Sequence, residues 1–73
     1  MEIDLESNLK KLGRNISLMR KKRNFTQYKL AQEILTDQSN LARIEEGKVN
    51  PTVKTLIKIN TALGCRVKDL FDF

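Results

Sequence analysis

The sequence lacks histidine altogether, which removes the commonest general base and a frequent metal ligand. The short length limits the size of the core, because a chain of 73 residues buries only about 60% of the surface that its unfolded form exposes. We therefore expect one small domain over residues 1–73 with a modest core and no deep catalytic cleft. The sequence predicts neither enzymatic activity nor a bound cofactor or metal.

Cysteine is nearly absent as well. Cys65 has no partner for an intramolecular disulfide, and we expect it to be a small core side chain. No apolar run exceeds two residues, so no membrane-spanning segment is predicted. The start of the chain is acidic, with Glu2, Asp4 and Glu6, and lacks the layout of a signal peptide. A reducing, cytoplasmic setting is expected.

Positive charge is concentrated in one part of the chain. The net charge is +5, and residues 10–29 contain eight bases and no acid. A block of this kind points to an anionic partner, although a solvated helix face explains the same charges. The eight bases are Lys10, Lys11, Arg14, Arg20, Lys21, Lys22, Arg23 and Lys29.

The hydrophobic pattern is helical from the start. Apolar residues recur three and four apart along a first helix, which Asp4 or Ser7 caps and Asn24 ends in a left-handed conformation. The apolar stripe consists of Leu5, Leu9, Leu12, Ile16 and Met19.

Two short helices follow, over about residues 27–34 and 38–45. Thr26 is a good N-cap for the first of them, and Thr36 or Asp37 caps the second. Gly47 ends the second. The core residues predicted on these two helices are Leu30, Ala31, Ile34, Leu41 and Ile44.

A fourth and a fifth helix complete the pattern. Pro51 and Thr52 precede the fourth helix, and Gly64 ends it. The predicted core face of the fourth helix is Val53, Leu56, Ile57 and Leu63, and that of the short fifth helix is Val67, Leu70 and Phe71. No segment alternates for long enough to predict a strand, so the fold class is all-α.

The two short helices, separated by three residues, have the helix-turn-helix spacing. A specific set of residues in and around these helices consists of Thr26, Gln27, Leu30, Ala31, Leu41, Arg43, Ile44, Glu45, Gly47, Pro51, Leu56, Leu63, Gly64, Leu70 and Phe71. With these residues the chain resembles the helix-turn-helix domain of the Cro/cI type, the XRE family. The resemblance implies a five-helix, lambda-repressor-like DNA-binding domain with the helix-turn-helix at about 27–45.

The residue types at the start of the third helix support DNA reading independently of the resemblance. Gln and Asn side chains pair with adenine and Arg pairs with guanine, each contact giving about 1–3 kcal/mol of discrimination. The predicted base-reading or groove-contacting residues are Gln38, Ser39, Asn40 and Arg43.

The resemblance adds further roles. It implies that Gln27 holds a phosphate and supports Gln38, and that Arg20 and Glu45 form a structural ion pair. Lys48 and Asn50 match a loop that holds the DNA backbone. Backbone contacts are also predicted for Lys21, Lys22 and Tyr28, with solvated side chains as the alternative.

Three residues depart from the family pattern. A glycine is usual at Leu35, so either Leu35 is strained or the second helix runs on and the turn differs. Thr36 stands where an apolar residue is usual. Asn60 replaces a small apolar residue and needs a hydrogen-bond partner if it is buried.

The predicted function is a sequence-specific, double-stranded-DNA-binding transcriptional regulator, a repressor or controller protein, acting as a homodimer on a two-fold symmetric operator. The alternative is a helical protein–protein interaction module or antitoxin-like partner protein. Leu70, Phe71 and Phe73 are the predicted dimer residues, the alternative being that Val67, Leu70 and Phe71 close the core of the monomer. Phe73 is not part of that alternative, so it is the strongest candidate of the three for the dimer interface.

Overall fold

Five helices account for most of the chain in the computed structural model, which describes residues 4–73. They are α1 (Leu5–Lys22), α2 (Gln27–Glu33), α3 (Gln38–Glu45), α4 (Val53–Leu63) and α5 (Val67–Leu70). No strand occurs in this part of the chain, which agrees with the predicted all-α fold. Glu2 of the acidic start lies outside the described residues.

Side chains cap the start of the first four helices. Asp4 accepts from the Ser7 N–H at 3.0 Å, and Thr26 accepts from the Lys29 N–H at 3.0 Å. At the start of α3 the cap is Asp37, which accepts from the Asn40 N–H at 2.6 Å. Thr52 caps α4 in the same way. Each cap satisfies a backbone donor that has no partner within its helix, which is why these helices begin where they do.

The same four helices end in one backbone motif. A residue with positive φ follows each helix, its N–H bonds to the carbonyl three residues back, and the next N–H reaches five residues back. The four left-handed residues are Asn24, Leu35, Gly47 and Gly64, with φ of 61°, 58°, 74° and 68°. Asn and Gly tolerate this conformation, whereas Leu35 is strained by its branched side chain. Of the two predicted alternatives, the structure therefore has the strained Leu35, and α2 does not run on through the turn.

The core lies where the inner faces of all five helices meet. Helix α4 carries two overlapping apolar stripes, and the packing against α1, α2 and α5 buries the one that contains Ile59. The core of the whole domain consists of Leu12, Ile16, Leu30, Ala31, Ile34, Leu41, Ile44, Leu56, Ile59, Leu63 and Leu70. Five residues predicted on core faces are instead exposed, namely Leu5, Val53, Ile57, Val67 and Phe71.

Helix α1 crosses α3 at Gly13. A Cβ built on Gly13 would lie 2.5 Å from the Ile44 carbonyl oxygen and 2.7 Å from the Glu45 carbonyl carbon, closer than real Cβ atoms approach. The glycine that weakens α1 locally therefore allows the backbones of α1 and α3 to touch. This contact fixes the C-terminal end of α3.

Polar contacts hold the C-terminal segment to the rest of the domain. The Asn15 side chain donates to the carbonyls of Leu70 and Asp72, at 3.1 Å each. The half-buried Asn60 donates to the Cys65 carbonyl at 2.8 Å, while its buried Oδ1 has no partner in the described part of the chain.

Cys65 packs against the core, as expected. Burial, followed by the charge of Asp69, raises the pKa of its thiol. Both effects favour the protonated thiol, and the side chain packs beside the core.

Candidate nucleic-acid interface

The outer face of α3 carries three polar side chains that form no hydrogen bond or ion pair within the described residues. Gln38, Ser39 and Arg43 are exposed, and none of them has a side-chain hydrogen bond or ion pair to the described residues. Ser39 and Arg43 lie four residues apart on one face of the helix, and Gln38 is next to Ser39 in its first turn. Their amide, hydroxyl and guanidinium groups are free to meet hydrogen-bonding groups on a partner.

The inner face of α3 is anchored. Leu41 and Ile44 are almost fully buried, and the backbone of the last turn rests on Gly13. Burying each of these side chains contributes about 1.5–3 kcal/mol. The helix is therefore held from one side while its opposite side faces solvent.

A polar network ties the end of α3 to α1 and α2. Arg20 donates through Nε to Glu45 Oε2 at 2.7 Å and through Nη2 to Glu45 Oε1 at 3.0 Å. Its third nitrogen, Nη1, donates to the Phe25 carbonyl at 2.8 Å. The Gln27 side chain also donates to Glu45 Oε1, at 3.0 Å. The carboxylate of Glu45 thus accepts three charge-assisted or amide hydrogen bonds from two other helices.

The position of Gln27 differs from the predicted one. The resemblance implies a contact between Gln27 and Gln38, whereas the structure directs the Gln27 amide to Glu45 and leaves Gln38 exposed. The reason is electrostatic, because a buried carboxylate attracts an amide donor more strongly than an exposed neutral amide does.

Asn40 also differs from the predicted arrangement. The sequence predicts it among the base-reading residues, but its side chain is half-buried and its Nδ2 donates to Thr36 Oγ1 at 2.9 Å. The sequence contained a signal for this bond: Thr36 and Asn40 are four residues apart, and Thr36 is polar where the family pattern is apolar.

The remaining predicted contact residues lie on the surface around the helix-turn-helix. Lys21 and Lys22 are exposed at the end of α1, and neither forms an ion pair with the described residues. Lys48 pairs with Glu46 at 2.9 Å, an exposed contact that is worth little and is easily exchanged. The exposed Tyr28 hydroxyl accepts from Gln32 at 3.0 Å, and Asn50 is exposed in the loop after α3.

An apolar groove of about 420 Å³ lies at the opposite end of α1 from Lys21 and Lys22. The rings of Phe71 and Phe73 lie 6.3 Å apart in it, both are exposed, and the Lys11 ammonium lies 5.9 Å from the Phe73 ring centre. Leu70 is fully buried in the core, which agrees with the predicted alternative that it closes the core of the monomer and not with a place in a dimer interface. The groove is lined by Leu5, Asn8, Leu9, Leu12, Asn50, Pro51, Leu56, Phe71 and Phe73.

Two other kinds of feature do not occur in residues 4–73. No cluster of three metal-ligating side chains is present among them. None of their helices combines the length and the hydropathy that a membrane span requires.

Comparison with known proteins gives consistent matches. Residues 16–70 match the family described as Helix-turn-helix, HTH_3. The chain is 39% identical over 56 residues to the immunity repressor protein of Bacillus phage phi105, covering 77% of this chain and 39% of the repressor. It is 33% identical over 58 residues to an uncharacterized HTH-type transcriptional regulator of Archaeoglobus fulgidus, covering 80% of this chain and 82% of that protein.

A solved structure is similar over almost the whole domain. The restriction-modification controller protein C.AhdI of Aeromonas hydrophila superposes with a TM-score of 0.86 at 28% identity, covering 89% of this chain and 98% of that one. The five-helix architecture is therefore that of a known group of regulators, although the chain spans only 39% of the length of the phage repressor.

Proposed function

The chain belongs to the helix-turn-helix family HTH_3, and from this membership we propose that it is a transcriptional regulator that binds double-stranded DNA as a homodimer. The outer face of α3 carries the proposal, because Gln38, Ser39 and Arg43 are exposed on a helix whose inner face is buried. In the major groove, amide and guanidinium groups match the donors and acceptors of adenine and guanine. A repressor and a controller protein among the similar proteins support the same function.

In this proposal the DNA backbone is held by residues around α3. Lys21, Lys22 and Lys48 supply positive charge that releases counterions from the phosphates. Tyr28 and Asn50 donate hydrogen bonds from exposed positions. Gln27 lies in the first turn of α2, and the N–H of its amide that Glu45 does not use is left for a phosphate oxygen.

The proposed dimer follows from how little DNA one copy reads. A single recognition helix contacts only a few base pairs, whereas two copies on a two-fold axis read half-sites whose centres lie about 34 Å apart. The domain measures 38 × 22 × 20 Å, so two adjoining copies have the dimensions to span that distance.

We assign the dimer contact to the groove beside Phe71 and Phe73. Together with Leu5 these rings form an exposed apolar surface, and such surfaces often mark interfaces between proteins. A two-fold axis through this surface brings each residue against the same patch of the second copy, which is how homodimers are built.

The proposed mechanism is occupancy of an operator by residues 1–73 acting as one DNA-binding domain. A dimer bound over a promoter excludes RNA polymerase, and one bound beside it can contact the polymerase and activate it. Because the target is the chromosome or a phage genome, the proposal includes the predicted cytoplasmic location.

The proposal is tested by selecting bound sequences from a random duplex DNA pool. We expect an enriched palindrome whose half-sites are centred about one helical turn apart. Binding to that sequence should weaken with salt at a slope near −0.9 per phosphate contact. Absence of any enriched sequence, or affinity that does not depend on salt, would reject the DNA-reading function.

A further inference from the structure

Asn40 joins the turn between α2 and α3 to the first turn of α3. Its backbone N–H donates to Asp37 Oδ1 at 2.6 Å, and its side-chain amide donates to Thr36 Oγ1 at 2.9 Å. Both Thr36 and Asn40 are half-buried, whereas Gln38 and Ser39 between them are exposed. The two hydrogen bonds of Asn40 thus connect the residues on either side of Gln38 and Ser39, which are proposed to read bases.

The turn that precedes α3 has little else to define it. Leu35 has a φ of 58° and is 85% exposed, so packing of its side chain does little to offset the strain of its backbone. The backbone bonds of the turn, from Thr36 to Ala31 and from Leu35 to Gln32, fix the end of α2 and not the start of α3. The side-chain bond between Thr36 and Asn40 supplements the Asp37 cap on the α3 side.

We infer that Asn40 is a positioning residue that sets the direction of the α3 N-terminus, and that base reading is left to Gln38, Ser39 and Arg43. This inference rests on the proposed DNA-binding function and refines its residue roles. It also gives Thr36 a reason to be polar, because an apolar residue at this position has no group to accept the Asn40 amide proton.

The two roles of Asn40 differ in what a substitution of its partner does. Thr36→Val keeps the shape of the side chain and removes the hydroxyl, while Thr36→Ser keeps the hydroxyl. A positioning role makes Thr36→Val and Asn40→Ala equivalent and non-additive, because each removes the same hydrogen bond. A base-reading role makes only Asn40→Ala harmful, and only at the base pair that it contacts.

The experiment compares the full-length wild type with Thr36→Val, Thr36→Ser, Asn40→Ala and the Thr36→Val/Asn40→Ala double variant. Affinity is measured for the selected operator and for all its single-base-pair variants, at a temperature where circular dichroism shows each protein fully folded. We expect Thr36→Val and Asn40→Ala each to lower affinity roughly three- to tenfold on every sequence, the double variant to be no weaker, and Thr36→Ser to match the wild type. Loss of preference at one base pair in Asn40→Ala alone would overturn the inference.

A second readout needs no DNA. Thr36→Val and Asn40→Ala should produce the same changes in the backbone amide resonances of Gln38 and Ser39 in the free proteins, and Thr36→Ser should not. Unchanged resonances in Thr36→Val would overturn the inference even if the wild type binds DNA. Failure of the wild type to select any sequence, with these resonance changes present, would instead reject the proposed function alone.

Discussion

Arg20 on α1 and Glu45 at the end of α3 are joined by two hydrogen bonds of 2.7 and 3.0 Å, with side chains only 8% and 5% exposed. Each charge therefore depends on the other to compensate for its missing hydration. A carboxylate shielded in this way is costly to leave unpaired, and the same residue also receives the Gln27 amide. The pair consequently controls how α3 is seated on the domain.

Removing one partner of this pair should be strongly destabilising. We expect Glu45→Ala to lower the free energy of unfolding by about 3–5 kcal/mol, a large part of the ~4–11 kcal/mol that a domain of this size has. Urea denaturation followed by circular dichroism measures it. The double variant Arg20→Met/Glu45→Leu should be destabilised far less, because two apolar side chains leave no buried charge. A decrease below about 1 kcal/mol in Glu45→Ala would mean that the pair is solvated.

Relieving the left-handed leucine should stabilise the domain. Leu35→Gly removes a steric cost of about 1–2 kcal/mol and adds about 0.5–1 kcal/mol of backbone entropy cost, so we expect a net gain of about 0.5–1 kcal/mol. Thermal melting should record a rise in Tm of a few degrees. Gln32→Gly, an exposed position within α2, is the matched control and should lower stability by about 1 kcal/mol. A fall in Tm for Leu35→Gly would contradict the strain at this turn.

Adding a methyl group at Gly13 should destabilise the domain even though it improves the helix. Gly13→Ala gains about 1 kcal/mol of helix propensity but forces α1 away from the carbonyls of Ile44 and Glu45, at about 1–3 kcal/mol or more. We expect a lower Tm than that of the wild type. Arg14→Ala, exposed on the same helix and outside the groove, serves as the control and should leave Tm unchanged or higher. A higher Tm in Gly13→Ala than in the wild type would rule out so close a backbone contact.

Specificity and affinity should separate between two sets of residues. Gln38→Ala should relax the preference at one base pair by about 1–3 kcal/mol while leaving others intact. Replacing both Lys21 and Lys22 with Ala should weaken binding evenly on all sequences and reduce the salt slope by about 0.9 for each phosphate that is no longer neutralised. Binding titrations on the operator and its variants distinguish the two. Uniform weakening by Gln38→Ala would remove it from the reading face.

A charge in the C-terminal groove should dissociate the proposed dimer. Phe73→Asp places a carboxylate in a surface that the second copy must cover, so we expect a monomer in sedimentation at tens of micromolar. Leu18→Asp changes an equally exposed leucine that does not line the groove, and it should leave the dimer intact. If Phe73→Asp sediments as the wild type does, the interface lies elsewhere.

The sequence was sufficient to predict most of the fold but only part of the site. Caps and stop residues are local chemistry, so the bounds of α2 and α3 agree with the predicted ones to within one residue. The burial of Ile59 rather than Ile57 was not predictable, because α4 has two apolar stripes and only its neighbours select one. The partner of Gln27 was missed for a related reason. The Gln27 amide can hydrogen-bond with either Gln38 or Glu45, and only tertiary packing brings Glu45 within reach.

The anchoring of α3 from its inner face and last turn has an evolutionary consequence. Gln38, Ser39 and Arg43 are exposed and make no side-chain hydrogen bond to the described residues, so under the proposed function a change at any of them should alter base preference with little effect on stability. For a DNA reader, target preference can then drift in single mutational steps, each of which passes through a folded protein. Under the proposed function, new operators therefore lie within reach of single substitutions on a helix that stays anchored from its other side.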